Sequence, residues 1–364
     1  MHERIIVDAG AELHVFASGV VDDRVDSSAF GQKRIIVSET SSLIELDKER
    51  RMGGDGTIDT TRELRRIDLS DFDARRDEIA DQLWAAATDI GFFQIVNHDI
   101  PSTVVDRAFE MSQRFFALPR EVKDQYPLRK QDNAGYEFRS QVRPSIGVPD
   151  QKESYQVTLP HMADLWPTEE ELPGFREAIL DFERRSWALA MKVLSCFAQK
   201  LAFDTDFFER AHDPSSPNYQ STLRLLHYFA VPPEARGQDA PWRAGAHTDF
   251  DVLTLLYQRD GQGGLEVLPG REMSTESWTP VEPTSDSITC NIGDMLMRWS
   301  DDALPSNFHR VRGPRAGDNQ DARYSIAYFA QANRDVLMES PSGAWEPITA
   351  RDYLLERIRA NYGK

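Results

Sequence analysis

From Pro217 onward the chain reads as a succession of short strands broken by turn residues, and that pattern leaves few folds open. Residues 223–231, 252–258, 265–268, 287–292, 295–299, 309–312 and 324–330 are strand-like. Asp260-Gly, Pro269-Gly, Gly293-Asp and Ser300-Asp-Asp separate several of them with turn chemistry. Many short strands in sequence predict a jelly roll or a barrel.

The region before them is different. Ile79, Leu83, Ala86 and Ile90 recur at helical spacing, Gly91 ends that helix, and 92–96 reads as a strand. Pro101-Ser102 opens a second helix with Val105, Phe109, Ser112 and Phe116 on one face. Residues 133–149 show no period and read as a loop. A long helix follows Pro173-Gly174, with Phe175, Ile179, Phe182, Leu189, Val193, Phe197 and Leu201 on its apolar side. A last helix is expected near 350–361. Residues 1–60 look unlike the rest: β-like pieces at 5–7 and 34–37 alternate with Ser-, Asp- and Gly-rich stretches, as in a loosely attached extension. The fold expected is mainly β with α. A double-stranded β-helix (jelly roll) core spans 216–335, an N-terminal helical layer 61–215, and a C-terminal helical segment 336–364.

Composition narrows the function. A length of 364 residues suits one large domain. A formal net charge of −18 argues against a nucleic-acid partner, whose phosphates would be repelled. No apolar run is long enough to span a bilayer and no signal-peptide layout opens the chain, so no membrane partner is expected and the expected location is the cytoplasm. Oligomeric state is not legible. Cys196 and Cys290 are too few for a disulfide framework or a thiolate metal site, and both read as buried structural residues.

His247-Thr-Asp249 and, sixty positions after Asp249, His309 supply two imidazoles and one carboxylate. That set holds Fe(II) on one face and leaves the remaining positions open for substrate and O₂. Residues two apart on a strand point to the same side, so His247 and Asp249 can reach one metal from one strand edge. His309 would come from a strand brought alongside. Zinc is the chemical rival for these ligands, but a water-activating zinc site wants a nearby general base, and no candidate stands out. Arg323 and Ser325 are also two apart, in the otherwise apolar run Arg323-Tyr-Ser-Ile-Ala-Tyr-Phe329. An inward Arg there needs an anionic partner, which a dicarboxylate cosubstrate would supply.

These motifs, with Asp89-Ile-Gly-Phe-Phe-Gln-Ile-Val-Asn-His98, Leu223-Arg-Leu-Leu-His-Tyr228, Gly263-Gly-Leu-Glu-Val267 and Asn291-Ile-Gly-Asp294, occur in one order over about residues 65–335. In combination the chain resembles the isopenicillin-N-synthase-like, 2-oxoglutarate- and Fe(II)-dependent dioxygenases. The resemblance implies that His247, Asp249 and His309 are iron ligands. It implies that Arg323 and Ser325, with Tyr228 as a third donor, hold the distal carboxylate of 2-oxoglutarate. O₂ would be the other cosubstrate, and succinate and CO₂ the coproducts. Phe229 stands where a Pro often follows the Tyr, and Leu226 where many plant members carry Asn. Neither change touches an iron ligand. The run Arg-Leu-Leu-His-Tyr with Arg298-Trp-Ser300 looks closer to microbial and fungal members, nucleobase hydroxylases and secondary-metabolite oxygenases among them.

The function implied is hydroxylation, desaturation or oxidative rearrangement of a small organic molecule. An iron oxidase that dispenses with 2-oxoglutarate, and a non-catalytic jelly roll with a vestigial site, are the alternatives. Candidates for the substrate pocket are Tyr136, Phe138, Arg143, Tyr155, Phe250 and Trp299. An inward Arg143 would point to an anionic or carbonyl-rich substrate.

Overall fold

The computed structural model describes residues 56–142, 145, 147–236, 242–269 and 276–361. Almost all of the predicted extension at 1–60, with its β-like pieces, and Arg143 lie outside the described residues. In chain order the elements are β1 (Thr57–Ile58), β2 (Arg66–Asp68), α1 (Phe72–Asp89), β3 (Phe92–Val96), α2 (Ser102–Phe116), α3 (Arg120–Lys123), β4 (Gly135–Phe138) and β5 (Lys152–Val157). Then come α4 (Phe175–Lys200), α5 (Phe207–Ala211), β6 (Thr222–Tyr228), β7 (Ala244–His247), β8 (Leu253–Tyr257), β9 (Leu265–Val267), β10 (Ser277–Pro280) and β11 (Ile288–Ile292). The chain closes with α6 (Asp294–Trp299), β12 (His309–Val311), β13 (Arg323–Ala330), β14 (Leu337–Met338), β15 (Ile348–Thr349) and α7 (Ala350–Asn361).

Eight strands pair in the order β2-β3-β11-β8-β13-β6-β5-β4, and five in the order β1-β10-β9-β12-β7. The two sheets meet face to face, with Phe92, Leu226 and Tyr228 of the larger packed against Leu265, Val267 and Val311 of the smaller. This is the jelly roll expected from the strand pattern. The outer face of the larger sheet is covered by α1, α2 and α4, whose Ile79, Leu83, Phe109, Ile179, Phe182 and Val193 share one core with Leu223, Leu225 and Tyr328. Strand β6 shows how the pleat divides the two interiors. Leu223 and Leu225 point to the helices, whereas Leu226 and Tyr228 point between the sheets. A strand packed on both faces loses the apolar–polar alternation, which is why β6 has leucines on both its sides.

Two expectations are corrected. Residues 295–299 are not a strand but the helix α6, entered from Gly293 in an extended conformation (φ −99°, ψ 173°). All five of its residues from Met295 to Trp299 are buried, so the helix is enclosed on every side and shows no readable period. The loop expected at 133–149 contains the edge strand β4, paired antiparallel with β5 through Tyr136–Tyr155 and Glu137–Ser154. Strands β2 to β5 precede residue 216 and are nonetheless part of the same sheet as β6, β8, β11 and β13.

One buried acid in the helical layer makes stability depend on pH. Glu183 on α4 takes a hydrogen bond from the Tyr219 hydroxyl (2.7 Å), which lies 2.9 Å from the Tyr328 hydroxyl. Burial pushes the Glu183 carboxyl up to about 7 from its ordinary 4.5. The folded protein therefore keeps a proton that the unfolded chain has released, and stability falls as pH rises from 4.5 through 7. Glu183→Gln removes that loss. Its stability advantage over wild type in denaturant titrations is expected to be about 2 kcal/mol larger at pH 8 than at pH 5, at ~1.4 kcal/mol per pKa unit. An advantage that does not change with pH would show that Glu183 is ionised in the folded state.

Candidate active site

The edge of the smaller sheet brings the three sequence-predicted ligands together. Strands β12 and β7 pair so that His309 sits opposite His247. Asp249 follows two residues later, not on the strand as expected but in the loop that leads to β8. One ligand atom from each of His247, Asp249 and His309 lies within 4.8 Å of the others. The His309 and His247 Nε2 atoms are 3.6 and 4.0 Å from Asp249 Oδ1, and all three residues are 8% exposed. The His247 Nδ1–H donates to the Gly245 carbonyl (2.7 Å), which leaves the lone pair on Nε2, facing the carboxylate. Asp249 Oδ2 accepts from Thr254 Oγ1 (2.6 Å) and Asn291 Nδ2 (2.9 Å), so Oδ1 is the oxygen turned to the imidazoles. This donor set and its tautomer fit a divalent iron with open positions.

The Asn291-Ile-Gly-Asp294 motif is the mould for that loop. Asn291 holds Asp249, and the Asp294 N–H donates to the Asp249 carbonyl (2.9 Å). Gly293 passes so close to Asp251 that a Cβ there would stand 2.2 Å from the Asp251 carbonyl oxygen. Burial, and then the charges of Asp249 and Asp294, push the Asp251 carboxyl well above the usual carboxylate range. Helix α7 closes the mould from outside. Tyr353 donates to Asp294 Oδ2 (2.8 Å), and Arg357 donates to Thr248 Oγ1 (3.0 Å) while lying 4.4 Å over the Phe250 ring. Both residues flanking Asp249 in sequence are thus held by one arginine from the last helix.

A cavity between the sheets opens from this triad and runs to Arg323 and Ser325. In the register of β13 against β6, Arg323 stands opposite Tyr228 and Ser325 opposite Leu226. Arg323 is 2% exposed. Its guanidinium donates to the Gln262 carbonyl (2.9 Å) and Ser325 Oγ (3.2 Å) and lies 4.8 Å from the Tyr228 ring centre. Among the described residues no carboxylate pairs with it. Burial holds Arg323 below its ordinary value, and burial followed by the Arg323 charge pushes neighbouring Arg243 down to about 10. Lys152, opposite Tyr228 on β5, lines the same cavity. Lys152 is neutralised by Asp150 (2.5 Å), so the excess positive charge of this buried end is that of Arg323 and Arg243, which fits the far carboxylate of a dicarboxylate such as 2-oxoglutarate.

The predicted substrate contacts are placed elsewhere. Tyr136, Phe138 and Tyr155 alternate onto the helix-facing side of β4 and β5, away from the cavity. Tyr155 packs on Phe115 (4.4 Å) and donates to the Leu165 carbonyl, Tyr136 donates to Glu153, and Phe138 stacks near Phe229 (5.3 Å). Trp299 packs on Phe207 and Phe208 beneath α6, and Phe250 is covered by Arg357. None of these five lines the cavity. His227 also faces the helices, bonded to Glu153 and stacked on Tyr324. The cavity wall contains instead Lys152, Arg224, Thr254 and Asn291, which sequence reasoning did not single out for it. For Arg224 the available signal was a charged residue among the leucines of β6, the argument already applied to Arg323.

Known proteins resemble this chain in sequence and fold. Residues 64–171 match the profile of the non-haem dioxygenase in morphine synthesis N-terminal family, and 219–332 that of the 2OG-Fe(II) oxygenase superfamily. A proline hydroxylase of Petromyces alliaceus, buaE, is 33% identical over 329 residues, covering 82% of this chain and all of that protein. A 2-oxoglutarate-dependent dioxygenase of Didymella fabae is 32% identical over 314 residues, covering 79% of this chain and 91% of that one. A full-length Neurospora crassa protein, solved in complex with alpha-KG, superposes with a TM-score of 0.71 at 30% identity, over 84% of this chain and 97% of that chain. A further structure of the same Neurospora protein contains alpha-KG and thymine. The ligand triad, the cation-lined cavity and these likenesses agree, and the chain belongs to the isopenicillin-N-synthase-like 2-oxoglutarate- and Fe(II)-dependent oxygenases, as a 2-oxoglutarate-dependent dioxygenase.

Proposed function

We propose that this dioxygenase hydroxylates a C–H bond of a small organic molecule, of the secondary-metabolite or nucleobase-like kind: R–H, 2-oxoglutarate and O₂ give R–OH, succinate and CO₂. The observation that carries the reading is one buried cavity with a three-ligand metal triad at one end and, at the other, an arginine with no acidic partner among the described residues. His247, Asp249 and His309 would hold Fe(II), and Arg323, Ser325 and Tyr228 the far carboxylate of 2-oxoglutarate. Iron and 2-oxoglutarate, when bound, supply the O₂-dependent oxidising power.

The chain's own contribution is placement. Thr254 and Asn291 occupy Asp249 Oδ2, which restricts the carboxylate to one ligand oxygen and keeps coordination positions open. Arg323 and Ser325 fix the cosubstrate at its distant end, so its orientation does not depend on the metal alone. Phe92, Leu226, Leu265, Val311 and Ala327 line the walls with apolar surface that keeps bulk water from the reacting atoms.

Three measurements without a known substrate test this. Metal-free protein should take up Fe(II) in equimolar amount. Anaerobic addition of 2-oxoglutarate should then produce the weak visible band of its iron chelate. Air should release succinate slowly. Iron uptake without any response to 2-oxoglutarate would favour an oxidase that dispenses with it. Failure to bind iron would leave a jelly roll with a vestigial site.

A further inference from the structure

We propose that Arg224 is the substrate anchor: its guanidinium takes an acceptor oxygen, carbonyl or carboxylate, of the small molecule that lies between it and the metal triad. The inference rests on the reading of the cavity as a 2-oxoglutarate site, because it divides that cavity between two ligands.

Strand β6 turns Arg224, Leu226 and Tyr228 to the same wall. Tyr228 stands opposite Arg323, and Arg224 stands four residues back along β6, opposite Ala327. The next inward residue of β13 is Phe329, which pairs with Thr254 of β8, and Thr254 in turn holds Asp249. Arg224 and Phe329 therefore mark the metal end of the cavity, and Arg323 marks the far end. With 2-oxoglutarate extended from Arg323 to the triad, the space beside Arg224 is what remains for a second molecule.

Arg224 is placed to receive a ligand. Its Nε is buried without a hydrogen-bond partner among the described residues, and its Nη2 makes a long contact to Asn133 Oδ1 (3.4 Å). Leaving a buried donor unmatched costs roughly 1–3 kcal/mol, a cost that a bound acceptor oxygen would relieve. The guanidinium carbon lies 5.2 Å from the Phe329 ring centre, which fixes its plane on one side. On the neighbouring strand, Gln156 stands opposite Arg224 and donates to Glu137 (2.6 Å), which also accepts from Ser140, Gln141 and Ser154. Burial by itself would raise the Glu137 carboxyl. The Arg224 charge, followed by the Ser140 hydrogen bond and the Lys152 charge, outweighs burial and holds it below its ordinary value. An anion thus stands ready to retain the guanidinium, and the arginine is tethered but not saturated. A guanidinium here favours substrates with exposed acceptor oxygens and disfavours amines.

The test is binding to anaerobic enzyme loaded with Fe(II) and 2-oxoglutarate, followed by calorimetry. One probe set contains neutral lactams and imides, headed by thymine. A second contains cyclic carboxylates, headed by L-proline. A third contains the same rings without an acceptor oxygen, headed by pyrrolidine. At least one of the first two sets should bind, lose tenfold or more in affinity in Arg224→Leu, and recover part of it in Arg224→Lys. The set that does so identifies the oxygen as carbonyl or carboxylate. The proposal is overturned if the oxygen-free rings bind as well, if binding survives Arg224→Leu, or if neither oxygen-bearing set binds. A 2-oxoglutarate titration in parallel separates the two readings. Loss of 2-oxoglutarate binding in the wild type would defeat the parent assignment. Intact 2-oxoglutarate binding in Arg224→Leu shows a folded cavity, so that a loss of probe binding there is owed to Arg224 alone.

Discussion

His309→Ala is expected to abolish stoichiometric iron binding and with it 2-oxoglutarate-dependent succinate release, while the protein still folds. Changes to groups that merely orient a ligand cost about 10–100-fold in metal affinity, so removal of a ligand should cost on the order of a thousandfold or more. The fold should tolerate the loss. His309 begins a three-residue strand, and its ring meets the edge of Phe92 (5.5 Å) and the His247 ring (4.3 Å) at the cavity surface, where water can fill the gap. The backbone pairing of β12 with β7 and β9 does not depend on the side chain. Metal analysis after dialysis, with circular dichroism melting as the control for folding, decides the matter. A variant that retains an equimolar amount of iron would exclude His309 as a ligand. One that melts far below wild type would make the imidazole structural.

Asp249 shows how the site could be read from sequence even where its local structure could not. The expectation placed it on the same strand as His247, yet the strand ends at His247 and Asp249 stands in the loop that follows. The convergence survives because metal chemistry constrains residue types and proximity, not backbone state. Arg323 was legible for a related reason. A charge within an apolar strand has few tolerable fates, and a ligand is one of them. Arg224 carries the same signal on β6, but Lys152 does not, because β5 is so rich in polar residues that neither its strand nor its inward face stood out.

Three of the substrate candidates lie outside the cavity because of the pleat. Aromatic residues near a metal motif invite a functional reading, but Tyr136, Phe138 and Tyr155 sit at the positions of β4 and β5 that face the helices. A one-residue difference in register would have turned them all inward, and nothing local in the sequence sets that register. Helix α6 was hidden for the opposite reason. Its surroundings bury every residue, which erases the period by which a surface helix is recognised. The contact of α7 with the metal loop, through Arg357 and Tyr353, joins residues 109 positions apart in one case and 59 in the other, and only the folded chain brings them together.

Arg323→Met should produce two changes of opposite sign. The affinity for 2-oxoglutarate should fall by about 2–4 kcal/mol, roughly 30- to 1,000-fold, since a charged hydrogen bond to a buried carboxylate contributes on that scale and its removal leaves the carboxylate unpaired. The ligand-free protein, in contrast, should melt no lower than wild type. Arg323 is buried without a carboxylate among the described residues, and it faces a second buried guanidinium, Arg243, whose own value it helps to depress. Replacing it with an unbranched apolar side chain removes an uncompensated charge from the interior and fills much of the same volume. Stabilisation by added 2-oxoglutarate should then disappear, because ligand stabilisation follows affinity. Thermal melts of both proteins with and without 2-oxoglutarate measure the two effects together. If Arg323→Met melts well below wild type without ligand, the arginine is a structural ion partner. If its melting temperature still rises with 2-oxoglutarate as the wild type's does, the cosubstrate is held elsewhere. Only a cavity that accepts instability when empty in order to hold a dicarboxylate when filled gives the first pattern, and that trade is the physical signature of a binding arginine.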